Sequence, residues 1–300
     1  MNKKILFGLA LSFSIFNATS QNADLIWAQN SGSTGFEIVR EIAIDNLGNV
    51  ISVGQFSNTV DFDPSSNIFN LTSAGATDMF VMKQDSDGNL IWASRFGAYD
   101  TDAANALGID AANNIYITGM FRFEVDFDPG PGDYTIGNWG ASAGQILLLK
   151  LDADGDLVWV NSMGNFSGSS QGLELAVEPS GLSVISGVFY TTVDFDPSAG
   201  TTNLTANITT NYDIFIARYG ADGSFSFAYG FGGTSDNNIP QDITLDVSNN
   251  IILTGSFGGT ADLDPTGGTQ TVVSQGYDDA FIMKFTSGGI FLWAKTIGSI

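Results

Sequence analysis

Asp78-Met79-Phe80-Val81-Met82-Lys83-Gln84-Asp85-Ser86-Asp87-Gly88-Asn89-Leu90-Ile91-Trp92-Ala93-Ser94-Arg95-Phe96-Gly97 holds two strand signals and the turn between them. Met79 to Lys83 is apolar without polar alternation, the pattern of a strand covered on both faces. Leu90 to Phe96 reads as its antiparallel neighbour. Between them stands Gly88, where a tight hairpin takes the backbone into the left-handed region that glycine enters without a Cβ penalty. The unit recurs. Aromatic residues stand at Trp27, Trp92, Trp159, Phe227 and Trp293, and glycine follows each five residues later, at Gly32, Gly97, Gly164, Gly232 and Gly298.

A period of about 67 residues marks a stacked-repeat architecture. Gly54-x-Phe56, Gly119-x-Phe121, Gly187-x-Phe189 and Gly255-x-Phe257 each lead, seven residues after the glycine, to Asp-Phe-Asp-Pro or Asp-Leu-Asp-Pro. In the first repeat the pattern predicts strand A over Glu37 to Ile44, B over Val50 to Phe56, C over Met79 to Lys83 and D over Leu90 to Phe96. The A–B turns read Asp45-x-x-Gly48, Asp110-x-x-Asn113, Glu178-x-x-Gly181 and Asp246-x-x-Asn249, with only Gly or Asn at the fourth position, as a left-handed turn residue requires. Glycine recurs in the C–D turns at Gly88, Gly155, Gly223 and Gly289.

Four-stranded antiparallel meanders with buried faces, repeated along a chain, point to an all-β fold, a β-propeller in which each sheet packs on its neighbours. A parallel β-helix fits less well, because its rungs are shorter and lack hairpin turns. The predicted organisation is a signal peptide over 1–20, the outer strand of a closing blade over 21–35, and blades over 36–100, 101–167, 168–235 and 236–300. Five D strands stand against four A-B-C sets, so the expectation is an incomplete ring of four full blades plus one extra strand. Seven blades would take about 470 residues, so the reading frame is expected to continue past Ile300.

The chain carries 32 Asp+Glu, 10 Lys+Arg, no His and no Cys, for a formal charge of -22. That composition removes Ser-His-Asp and Cys-His nucleophile pairs, the usual structural zinc ligands and disulfides. Nucleic acid is not an expected partner, since no Lys/Arg surface is available to neutralise phosphates. Hydrophobic residues at 43% supply a core, and 36 glycines suit a turn-dense fold. At the N-terminus Lys3 and Lys4 precede an apolar run from Ile5 to Phe16, and Ala18-Thr19-Ser20 supplies small residues for cleavage before Gln21. This reads as an export signal, being too short to cross a bilayer. Extracellular or outer-surface localisation follows, with the periplasm as the other destination, and no transmembrane segment is expected in the mature chain. Cleavage leaves 8 basic against 32 acidic residues.

The succession G-x-F-x-x-x-V-D-F-D-P, then Asp78-Met79-Phe80-Val81-Met82-Lys83, then Asp85-Ser86-Asp87-Gly88-Asn89-Leu90-Ile91-Trp92-Ala93 resembles the SBBP β-propeller repeats of secreted and surface proteins of the Bacteroidetes. The resemblance runs over residues 25 to 298. It implies a non-catalytic secreted or cell-surface propeller, often followed by a type IX secretion sorting domain. Residues 1–300 hold no such domain and fewer repeats than the seven blades the family implies.

Two sets of acids invite a cation. The C–D turns Asp85-Ser86-Asp87-Gly88-Asn89 and Asp152-Ala153-Asp154-Gly155-Asp156 alternate oxygen ligands as calcium prefers. They lack the third acid and distant Glu of an EF-hand, and the matching turns Gly220-Ala221-Asp222-Gly223 and Thr286-Ser287-Gly288-Gly289 keep the glycine while losing most carboxylates. Turn geometry is therefore the repeated requirement there. The D-[FL]-D-P motif keeps all eight acids: Asp61, Asp63, Asp126, Asp128, Asp194, Asp196, Asp262 and Asp264. In extended backbone both carboxylates share one face while Phe62, Phe127, Phe195 or Leu263 points into the core. They serve either as a strand-ending turn, bonded to backbone N–H groups or to the strand C base (Lys83, Lys150, Arg218, Lys284), or as a calcium site. No other cofactor is expected. Catalysis by paired carboxylates is disfavoured because every repeat carries the same pair.

Between D-[FL]-D-P and strand C the segments vary, and that from Gly130 to Gly144 holds Tyr134 and Trp139. Loops on a rigid scaffold are where recognition sits, so these two aromatics are the candidate ligand contacts. The expected function is a binding, adhesion or structural module meeting a protein or glycan at the cell surface. The alternatives are a carbohydrate-binding or carbohydrate-active propeller using one rim, and a calcium-stabilised scaffold.

Overall fold

The computed structural model describes residues 27–28, 32, 34–137, 143–164, 168–207, 211–235 and 238–298, and among these there is no helix. The first repeat forms β1 (Glu37–Ile44) and β2 (Val50–Phe56), a small hairpin of β3 (Thr59–Asp61) and β4 (Asn70–Thr72), then β5 (Asp78–Gln84) and β6 (Leu90–Phe96). The second forms β7 (Ala103–Ile109), β8 (Ile115–Phe121), the hairpin β9 (Glu124–Asp126) and β10 (Thr135–Gly137), then β11 (Gln145–Leu151) and β12 (Leu157–Met163). The third forms β13 (Gln171–Val177), β14 (Ser183–Phe189), the hairpin β15 (Thr192–Asp194) and β16 (Asn203–Thr205), then β17 (Asp213–Tyr219) and β18 (Phe225–Phe231). In the fourth, β19 (Ile239–Leu245) leads to β20 (Ile251–Asp262) and β21 (Thr271–Phe285), which run on through the hairpin region, and to β22 (Phe291–Ile297). Each repeat is a four-stranded antiparallel sheet in meander order, a propeller-like design.

The repeated glycines have direct structural causes. Gly48, Gly88, Gly155, Gly181, Gly223 and Gly289 all have φ between +81° and +92°, and Asn113 and Asn249 take φ of 64° and 58° at the same A–B turn position. Gly54 sits opposite a β-bulge, where the β1–β2 register slips between Val39 and Glu41. A Cβ there would overlap the Ile38 carbonyl and the Phe80 ring. The same slip recurs at Ala104/Ala106, Gly172/Glu174 and Pro240/Asp242. The glycine five residues after the aromatic has another reason: side chains at Gly97, Gly232 and Gly298 would collide with the carboxyls of Asp78, Asp213 and Asp279 at the head of strand C.

The inner edge is formed by the first strand of each sheet, β1 against β7, β7 against β13 and β13 against β19. Continuous apolar cores join sheets one and two, two and three, and three and four. Among the described residues none joins four to one. Aromatic residues of each last strand lock the junctions. Trp92 lies on Gly155, Trp159 on Gly223 and Phe227 on Gly289, each the C–D turn glycine of the next sheet. Trp159 Nε1 also donates to the Ala221 carbonyl at 3.0 Å. Trp27 makes the matching bond to the Ser86 carbonyl, also at 3.0 Å, at the same turn position in the first sheet. It thus occupies the place of a preceding blade's last-strand aromatic.

Candidate functional site

An antiparallel meander puts the A–B and C–D turns on one rim and the B–C hairpins on the other. On the first rim, the strand C base pairs with the acid that opens the A–B turn. Lys83 Nζ lies 3.0 Å from Asp45 Oδ2, Lys150 Nζ 3.7 Å from Asp110 Oδ2, Arg218 Nη2 2.6 Å from Glu178 Oε1 and Lys284 Nζ 2.7 Å from Asp246 Oδ2. This corrects the expectation that those bases serve the D-[FL]-D-P carboxylates. The reason is distance along the strand: Lys83 is next to last in β5, about 16 Å of extended backbone from Asp78 at the hairpin end.

The same acid organises its turn. Asp45 Oδ1 accepts from the Leu47 and Asn49 N–H groups and Oδ2 from Asn49 Nδ2, all within 2.9 Å. Asp110 and Asp246 repeat that set. Burial opposes the charge on Asp45, but the hydrogen bonds from Asn49 and Lys83 outweigh it and hold the carboxyl down at about 2. The Lys284 bond leads in taking Asp246 well below the ordinary range. The C–D turns use the same device: Asp85 Oδ1 accepts from the Asp87 and Asn89 N–H groups, and Asp152 Oδ1 from those of Asp154 and Asp156.

On the opposite rim the eight D-[FL]-D-P acids also face backbone. Asp61 Oδ1 accepts from Asp63 N and, eight residues on, from Phe69 N at 2.8 Å. Asp126 holds Asp128 N and Tyr134 N, Asp194 holds Asp196 N and Thr202 N, and Asp262 holds Asp264 N and Gln270 N. The second acid bonds two residues ahead: Asp63 to Ser65 N, Asp128 to Gly130 N, Asp196 to Ser198 N and Asp264 to Thr266 N. Phe62, Phe127, Phe195 and Leu263 between them are buried. The first acid therefore closes the small hairpin and the second starts its loop. Among the described residues no three acids converge as a metal would need.

Three further carboxyls were not singled out by sequence. Asp102 is fully buried between the first two sheets, accepting from Ala98 N and Arg122 N. Burial, followed by the nearby charges of Asp78 and Asp100, pushes it up to about 7. Asp78 is buried beneath Arg95 and accepts from Ala74 N at 2.9 Å. Glu174 shares its position on the inner strands with Glu41 and Asp242, each one residue past the bulge. Burial and then those two carboxylates raise it to about 7. The signal in the sequence was an acid at one period-matched position in three of four repeats.

The second blade departs from the common design. Its hairpin tip reads Asp128-Pro129-Gly130-Pro131-Gly132-Asp133-Tyr134 where the third blade has Asp196-Pro197-Ser198-Ala199-Gly200-Thr201-Thr202. A cleft of about 500 Å³ lies between this tip and the start of β12, lined by Asp128, Asp133, Tyr134, Asp156, Val158 and Trp159 among others. Tyr134 is half exposed there. Trp139 lies outside the described residues.

No family model matches the chain. It is 24% identical over 335 aligned positions, covering 91% of its length, to the WD repeat-containing protein L264 of Acanthamoeba polyphaga mimivirus, and it spans only 24% of that protein. It is 28% identical over 117 residues, 39% of its length, to the regulatory protein FlaEY of Caulobacter vibrioides, of which it spans 12%. Among solved structures, a protein of unknown function from Bacteroides caccae aligns over 86% of this chain and 81% of its own at a TM-score of 0.32 and 8% identity.

Proposed function

We propose that the chain is a non-catalytic binding scaffold, a propeller-like array of SBBP type that acts outside the cell after export and presents its hairpin rim to a partner. The observation that carries this reading is the contrast between repeated and unrepeated residues. Every acid common to the blades bonds its own turn backbone or a structural base, which leaves the repeated chemistry to the scaffold. What varies between blades is the hairpin tip, and surface loops on rigid sheets are where recognition is placed. The partial similarity to a WD repeat-containing protein is in keeping with this, since WD repeats build four-stranded propeller blades.

The half-exposed Tyr134 ring beside the cleft of the second blade favours a glycan as a second reading, because a sugar stacks on such a face. Replacing residues 128–134 by the seven residues 196–202 tests both. A glycan or protein array should show a ligand that the wild type binds and the loop-swapped chain does not, with the melting temperature held within a few degrees. Turnover on a panel of polysaccharide, ester and peptide substrates contradicts the scaffold reading.

A further inference from the structure

Each junction inside the chain joins the trailing face of one sheet to the leading face of the next, and the array ends with one face of each kind uncovered. On the leading face of the first sheet, Ile42 is 60% exposed, whereas Leu107 and Ile243 at the same register are 6% and 5% exposed. Beside it lies an apolar groove of about 390 Å³ that includes Val39, Ile42, Phe80 and Met82, with Trp27 at its edge. On the trailing face of the fourth sheet, Ile297 is 72% exposed where Phe96 and Phe231 are 1% and 3% exposed in the first and third. Trp293 is exposed too, the one last-strand aromatic of the four sheets with no following C–D turn to lie on.

We propose that these faces cover each other between two copies of the chain, blade four of each packing on blade one of the other, to close a ring of eight blades. The occupant follows from continuity with the junctions already present, since three times in this chain a trailing face seats on a leading face with the same set of positions. An interface of this kind is heterologous, and it closes when the rotation per subunit closes. Eight blades lie within the range that propellers adopt.

Trp27 has a specific place in this arrangement. It bonds the Ser86 carbonyl, whose counterpart Ala221 receives both Trp159 Nε1 and Lys150 Nζ within the chain. An incoming Trp293 needs the same socket, so the segment at Trp27 is a plug that the second copy displaces. Removing the plug strengthens association; removing its competitor weakens it.

Sedimentation equilibrium on the whole chain from about 1 to 200 μM tests the proposal. The expected result is a species of twice the chain mass, with Trp27→Ala lowering the dissociation constant at least tenfold and Trp293→Ala raising it by as much. Ile297→Asp and Ile42→Asp alter exposed positions and leave the fold intact by circular dichroism, and each alone should be monomeric. Mixed, they should form a heterodimer, because the intact trailing face of the Ile42 variant meets the intact leading face of the Ile297 variant. A wild-type chain that stays monomeric throughout overturns the proposal, as does a dimer insensitive to Ile297→Asp or a mixture of the two variants that fails to associate.

Discussion

At the scale of single residues, the four base–acid pairs share one geometry but not one burial, and burial decides their worth. Lys83 and Asp45 are nearly enclosed, whereas Lys284 and Asp246 on the uncovered fourth sheet keep about a quarter of their side-chain surface in solvent. Breaking an enclosed pair strands a charge and costs about 3 kcal/mol or more, while an exposed pair contributes about 1 kcal/mol or less. Urea denaturation of Lys83→Ala and Lys284→Ala should therefore separate them by at least about 2 kcal/mol. Equal losses would mean that the turn bonds to Asp45, rather than the lysine, carry the site.

Titration provides a second residue-scale expectation. Asp45 is depressed on folding, so its contribution is present above an ordinary carboxyl pKa and is lost as pH falls toward 2. Asp102 is raised to about 7, so the folded state holds its proton longer than the unfolded one. Its contribution is complete below about pH 4 and is lost as pH rises to 7, at up to about 1.4 kcal/mol per pH unit. Asn238 occupies the equivalent position in the fourth blade, where its Oδ1 accepts the Gly233 N–H, so Asp102→Asn is a substitution the fold already accommodates. The variant should lose less stability than the wild type between pH 4 and 7. Parallel pH profiles of the two would show that Asp102 is ionised in the folded state.

At the scale of the elements, the four long strands of each sheet were legible because apolar runs and turn glycines recur at one period. The small hairpins were not. Thr59–Asp61 and Asn70–Thr72 are three residues each with polar sides exposed, and their pairing depends on Asp61 reaching Phe69 across the loop. The partner of the strand C base was missed for a related reason. Residue type alone allowed two acidic motifs, and only the direction of the strand places Lys83 beside Asp45, 38 positions earlier, rather than beside Asp61. The hairpin reading makes its own prediction. Asp61→Ala leaves two N–H groups without their acceptor, at about 1 kcal/mol each. Hydrogen exchange at Asp63 and Phe69 should accelerate roughly tenfold while the β5 amides stay protected. Acceleration across the whole sheet would mean that the hairpin and the blade form one cooperative unit.

At the scale of the molecule, the net charge of -22 is the sum of one acidic blade design used four times, in which turn acids outnumber the bases that answer them. The absence of His and Cys, and the commitment of the repeated carboxylates to backbone, describe a frame that displays its edges. The central claim is that these acids hold turns and do not hold a cation. Calorimetric titration of calcium into the intact chain, with the melting temperature followed in calcium and in chelator, tests it most directly. The account predicts no binding heat up to millimolar calcium and a melting temperature unchanged by chelator; a saturable heat that disappears in Asp61→Ala with Asp63→Ala, or a melting temperature lowered by chelator, would contradict it.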